Sequence, residues 1–217
     1  MAKALFILIT VVGISFLFQA SKKDKHILVL SIIWSAVITL LSYFNLFEKT
    51  DTLPPPFAFI LLGGVLFTIY FNRRLNKRDS NPEWWWAIHG LRLPVEIGLY
   101  LMFLDQLVPK IMTFAGWDYD IIMGISAILL ILFKISLNYT LPKPFLIIWN
   151  ILGIILLTII VSTAFLSTPL PIQQFAFEQP NVGILKFPFV LLPGYIVPIV
   201  IVAHLQQLRM LLKKNYS

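Results

Sequence analysis

Apolar residues dominate the chain in long unbroken runs, and polar residues gather in short clusters between them. A bilayer-crossing helix needs about 20 mostly apolar residues to span a hydrocarbon core of about 30 Å. Seven stretches meet that requirement, near residues 4–20, 27–46, 56–71, 84–106, 120–138, 145–167 and 186–208. The pattern predicts an all-α integral membrane protein, a bundle of seven transmembrane helices forming a single domain over 1–217. The first run is short and follows only Lys3, as a signal peptide would. Phe18-Gln19-Ala20 puts a bulky side chain where cleavage wants a small one, so the run is read as a span. In the third, Gly63-Gly64 weakens helix while permitting close packing.

Composition agrees. Hydrophobic residues make up 59% and charged residues 12%, where soluble domains average about 45–50% and about 25%. The excess of 17 Lys+Arg over 10 Asp+Glu would suggest nucleic acid in a soluble chain. Its distribution points instead to membrane topology and to no nucleic-acid partner. Lys22, Lys23, Lys25, Arg73, Arg74, Lys77, Arg78, Lys143, Arg209, Lys213 and Lys214 fall on one side, and Lys3, Lys49, Lys110 and Lys186 on the other. The positive-inside rule then predicts the amino terminus outside and the carboxyl terminus inside. A bacterial inner membrane is the expected location.

With no cysteine there is no disulfide, thiolate nucleophile or cysteine-held metal. No GxGxxG or GxxxxGK[ST] phosphate cradle is present. No internal repeat supports an inverted-repeat transporter. The longest connection, residues 168–185, is too short for a folded domain. Whatever the chain does, it does in or at the membrane, and an enzyme is the less favoured reading.

The fourth run, "WWWAIHGLRLPVEIGLY", carries charges where lipid would not tolerate them. His89, Arg92, Glu96 and Tyr100 are spaced 3, 4 and 4, which sets them on one helical face. Pro94 frees the carbonyl of Gly90 in the same turn. Ionisable residues within spans usually face the bundle interior and have partners. Two readings stay open for an Arg92–Glu96 pair: a lock for the bundle, or a polar site for a substrate, ion or proton.

At about 1.5 Å per residue, position converts to depth. His89, Asn150 and His204 then share one inner-leaflet level with Lys134, and Arg92 lies just beyond. Snorkelling is the plainer reading of Lys134, and interhelical glue that of Asn150. A histidine pair at one depth fits a proton relay or, as the alternative, a b-type haem redox subunit.

On the outer side Asp105, Trp117, Asp118 and Asp120 join the fourth and fifth runs, and Gln173, Gln174 and Glu178 precede the seventh. Aromatics among polar groups there are interfacial anchors first and a vestibule second. Asp118, Asp120 and Glu178 are also a weak candidate divalent-cation set. Pro188, Pro193 and Pro198 with Gly194 predict a kinked last helix. The sequon Asn138-Tyr139-Thr140 falls on the predicted inner side and carries no weight.

Seven spans with an outside amino terminus resemble the retinal proteins in topology alone. Those carry a lysine midway along the last helix, and here only Lys186 stands at its outer edge, so a retinal protein is rejected. "RLPVEIGLY", "MTFAGWDYDIIMG" and "PIQQFAFEQPN" are similar to stretches of uncharacterised multi-pass bacterial membrane proteins. That resemblance, over about the second half of the chain, implies a membrane fold and no activity.

The leading expectation is binding or passage of a small solute or ion at a polar site between spans four to seven. It uses Arg92, Glu96, His89, His204, Asn150 and Tyr100, with no required cofactor. A non-catalytic subunit of a larger membrane complex, or a homo-oligomer, is the further alternative. An intramembrane hydrolase lacks an evident serine beside His89.

Overall fold

The computed structural model describes residues 1–52, 54–77, 80–137 and 141–213. Among them the secondary structure is helical throughout, with no strand. The principal helices are α1 (Ala2–Ala20), α2 (Lys25–Tyr43), α3 (Phe57–Leu75), α4 (Pro82–Gly90), α5 (Arg92–Leu104), α6 (Asp120–Leu137), α7 (Lys143–Leu166) and α8 (Val197–Leu212). Six helical units are long and apolar enough to cross a membrane: α1, α2, α3, the joined α4–α5, α7, and Leu192–Leu212. The 18-residue α6 is a seventh helical column beside them. Arg78, Lys214 and the Asn138-Tyr139-Thr140 sequon lie outside the described residues.

Successive connections alternate between the two ends of the bundle, as side-chain bonds at each end show. At one end Arg74 Nε and Nη2 donate to Asp24 at 2.6 and 3.0 Å, tying α3 to the start of α2. Asp24 also caps α2 by accepting from the His26 N–H, filling one of the donors a helix start leaves unpaired. Arg209 donates to Leu75 O and Asn76 O, and Gln206 to Asn72 and Asn76, which brings the end of α8 alongside. Lys134 pairs there with Glu83 at 2.9 Å. At the opposite end Lys186 meets Glu48, and Gln179 donates to Val108 O at 2.7 Å.

The α8 column is the axis. Ile199, Val200, Val202, Ala203, His204, Gln206 and Gln207 are buried, and α3, α4 and α7 pack around it. The outer helices turn apolar residues outward, among them Leu8, Val11, Ile32, Ile33, Leu62, Leu66, Ile148 and Ile155. Soluble proteins rarely expose apolar surface on that scale, and a lipid surround is where it costs nothing.

Two columns depart from regular helix. The fourth breaks at Leu91, where Pro94 cannot donate to Gly90 O. The last begins later than residue 186: its regular part is preceded by a π-helical turn, Leu192–Ile196, the wider winding that prolines at 193 and 198 favour over strict α geometry. Pro198 has no N–H for Gly194 O, and Trp34 Nε1 of α2 supplies the bond at 2.7 Å. Gly63 of α3 makes room for that indole, since a Cβ there would run into the Trp34 ring.

Candidate functional site

The break at Leu91 lets α6 approach the backbone of the fourth column. A Cβ on Gly124 would stand 2.6 Å from Leu93 N and 3.2 Å from Arg92 Cβ. Arg92, 3% exposed, therefore projects among α5, α6 and α7 and not along its own helix. Its Nε lies 2.8 Å from Asp120 Oδ2 and its Nη2 donates to Gly153 O at 3.1 Å. The ion partner of Arg92 is thus Asp120 and not Glu96. The i,i+4 expectation presumes a free helix surface, whereas here a carboxylate from a neighbouring element meets the guanidinium first.

The Glu96 side chain engages Asp118. Their carboxyls lie within hydrogen-bonding reach of one another. Glu96 Oε2 and Asp118 Oδ2 receive no N–H or O–H from the rest of the protein. The pair thus keeps unused accepting capacity in a buried position. Asp118 Oδ1 meanwhile accepts from Asp120 N at 2.8 Å, a turn that aims both aspartates inward. Asp118 stands in the connection ahead of α6, and burial pushes its carboxyl above the usual range, against the lowering effect of its hydrogen bonds and of Arg92. Arg92 Nη1 and Asp120 Oδ1 remain without partners.

These aspartates reach the interior because residues 105–119 fold back into the bundle. Gly183 N donates to Leu107 O at 2.8 Å, Trp117 N to Ile111 O at 3.3 Å, and Met112 and Thr113 are buried. Non-helical backbone at such depth is tolerated where protein surrounds it or a cavity lies beside it.

Toward the other end lies a second polar group. The rings of His89 and His204 are 4.0 Å apart, centroid to centroid, tilted by 39°. His89 Nε2 bonds Gln207 Oε1 at 3.1 Å, and His204 Nδ1 bonds Asn150 Oδ1 at 2.9 Å. Since an amide oxygen can only accept, each of these ring nitrogens carries a hydrogen. The other ring nitrogens, His89 Nδ1 and His204 Nε2, have no partner. Asn150 Nδ2 donates to Leu146 O, and Trp149 meets His89 edge-on at 5.2 Å. Gly153 joins the two groups: its carbonyl holds Arg92, and a Cβ on it would stand 2.7 Å from His204 Nε2. An iron and its macrocycle between the two histidines would require these contacting rings to part.

A cleft of about 300 Å³ lies among α3, α5, α7 and α8. Its walls are largely apolar, from Leu61, Val65, Leu99, Leu157, Val161 and Pro198, and among the described residues Glu96 and Asp120 are the charged ones that line it. At its mouth Val65, Ile69 and Val161 are exposed on the outer surface of the bundle.

Of the residues singled out in the sequence, the structure gathers His89, Asn150 and His204 into one group and Arg92, Glu96, Asp118 and Asp120 into another. Tyr100 stands apart, stacked on Phe114 at 4.9 Å. Asp105, Trp117, Gln174 and Glu178 are exposed, and Gln173 is half-buried with bonds to Phe175 O and Ala176 O. The residues expected to line an outer vestibule are therefore divided: Asp118 and Asp120 join the buried cluster and the rest stay at the surface or half-buried. Among the described residues no group of three or more His, Asp or Glu is arranged to hold a metal ion. Lys134 lies at the bundle's end, bonded to Glu83 and 5.5 Å from the Trp86 ring. Sequence reasoning missed Gln207, three residues after His204 and so on its helical face, and the glycines at 124 and 153.

The chain belongs to the family described as a domain of unknown function (DUF8737), whose model matches residues 55–212. That match takes in both polar groups and the cleft, and leaves out α1 and α2. No curated protein and no solved structure matches the chain.

Proposed function

We propose that the protein is a seven-span membrane protein, amino terminus outside and carboxyl terminus inside, that binds or passes a small solute or ion at the Arg92–Glu96–Asp118–Asp120 cluster. The lipid-compatible surface of α1–α3 and α7 supports the membrane reading, and the Lys and Arg residues at the Asp24–Arg74 end support the orientation. One observation carries the functional reading: three carboxyl groups and one guanidinium are buried together, at the wall of a cleft, with hydrogen-bonding capacity unused. A purely structural network is expected to satisfy its members, so spare capacity beside a cavity favours a ligand, an ion or an exchanging proton.

The histidine pair extends the site toward the inner end. Gln207 and Asn150 flank it and also line a small void of about 10 Å³, close to the least space one water needs. Direct contact of the rings favours proton handling over haem ligation, and a visible absorption spectrum of purified protein distinguishes the two. The principal test is flux in proteoliposomes under an imposed proton or cation gradient. Glu96→Gln abolishes flux in folded protein; wild-type flux with that substitution overturns the proposal.

A further inference from the structure

The ligand's chemistry follows from the shape and charge of the cleft, granted that the cluster is the binding site. The way in is from the side. Val65 and Ile69 of α3 and Val161 of α7 stand exposed at its mouth, on the face that the membrane reading turns toward lipid. Leu61, Leu99, Leu157 and Pro198 continue an apolar wall inward, the Thr68 hydroxyl is spent on Gly64 O, and the carboxyl end is formed by Glu96 and Asp120, which are 2% and 5% exposed. A hydrated ion gains nothing from such a route. A molecule already dissolved in lipid meets no barrier along it.

Charge selects the head. Arg92 pairs with Asp120 at 2.8 Å, which leaves no cation against Glu96 among the residues that line the cleft. Glu96 Oε2, buried at the cleft wall, has no partner, and an unsatisfied buried carboxyl oxygen is costly. Asp120 Oδ1 is in addition an unused acceptor on a residue that lines the cleft. A monovalent head bearing N–H donors answers both. Arg92 is absent from the lining, so an anionic head finds carboxylates first and is repelled. The volume, about 300 Å³, is at the small end for ligand sites and suits one alkyl chain.

We propose that the cleft admits a single-chain amphiphile with an ammonium head, entering from the lipid between α3 and α7 and setting its head against Glu96 and Asp120.

The test is calorimetric titration of the full-length protein in phosphatidylcholine nanodiscs, with octylammonium as probe and octanol as its neutral counterpart. Octylammonium binds saturably, and octanol binds at least about tenfold more weakly, the usual gain of a charged over a neutral hydrogen bond at a buried site. Val161→Trp, which fills the mouth without touching the acids, removes octylammonium binding. Leu66→Trp, on the same face of the bundle but outside the cleft, leaves it unchanged. Equal binding of octanol, or full binding by Val161→Trp, overturns the proposal. Added phosphatidylethanolamine that displaces the probe marks the natural ligand as a lipid headgroup, and failure to displace marks a free amphiphile; either follows only once saturable ammonium binding is seen. Glu96-dependent flux of a small ion, with no ammonium preference, overturns this inference and leaves the polar site itself standing. Loss of both overturns both.

Discussion

Arg92 Nε lies 2.8 Å from Asp120 Oδ2, which joins the fourth helical column to the first residue of α6. The contact decides how the rest of the cluster is arranged. With Arg92 turned toward Asp120 and Gly153 O, Glu96 is left to face Asp118. The position of α6 against the Leu91 break thus decides which side chain a residue on α5 meets.

Breaking this pair from one side leaves a buried charge without compensation. Arg92→Met and Asp120→Leu are each expected to cost about 3–5 kcal/mol, while the double substitution costs clearly less than the two losses added. Unfolding in mixed micelles, followed by circular dichroism, measures all three. Strict additivity would show that the two groups do not interact.

Asp118 gives the stability a pH dependence of definite sign. Burial raises its carboxyl above the ordinary value of 3.8, so the folded state holds the proton more tightly than the unfolded chain. This group's contribution is greatest at low pH and falls as pH rises from about 3.8 through the higher folded value. Asp118→Asn, which cannot ionise, should flatten that decline and gain relative to wild type as pH increases. Parallel stability profiles for the two proteins from pH 4 to 8 would contradict the assignment.

The two glycines beside Arg92 are expected to differ in tolerance. At Gly124 a Cβ meets the backbone nitrogen of Leu93 at 2.6 Å, and backbone cannot step aside without moving the helix. At Gly153 the nearest atoms are side-chain atoms, Met123 Cε and those of the His204 ring that Asn150 and His89 hold, and a side chain yields more readily than backbone. Overpacking typically costs about 1–3 kcal/mol; Gly124→Ala should fall at or above the top of that range and Gly153→Ala lower. Thermal unfolding in detergent ranks them, and the reverse order would mean that α6 is not held against the break.

The sequence made the histidine group legible and hid the acidic one, for a physical reason. Helix rise converts position into depth on every column, so His89, Asn150 and His204 could be set at one level before any packing was known. Asp118 and Asp120 could not, because their depth is fixed by tertiary folding of residues 105–119 and not by helix rise. Flanked by Trp117 and Tyr119, which are indeed exposed, they read as part of a surface anchor. The Arg92–Glu96 spacing was right for one helix face, yet spacing carries no information on what the next helix offers. A faint signal did exist: Gly116 and Gly124 bracket the two aspartates, as close backbone approach requires.

The absence of cysteine makes the orientation directly measurable, since any single cysteine introduced is the sole thiol. Lys77→Cys and Glu178→Cys are suitable, both side chains being exposed at opposite ends of the bundle. If lysines and arginines are retained on the cytoplasmic side, a membrane-impermeant maleimide added to intact cells labels Glu178→Cys and leaves Lys77→Cys untouched until the cells are broken. Labelling of Lys77→Cys alone would invert the topology. It would also exchange the compartments served by the two polar groups, placing the histidine pair outside and the acidic cluster nearer the cytoplasm. Labelling of both in intact cells would place residues 77 and 178 on one side of the membrane, which an odd number of crossings between them forbids. Three columns separate them, α4–α5, α6 and α7, so that outcome would remove α6 from the membrane and reduce the seven spans to the six that length and hydropathy alone support.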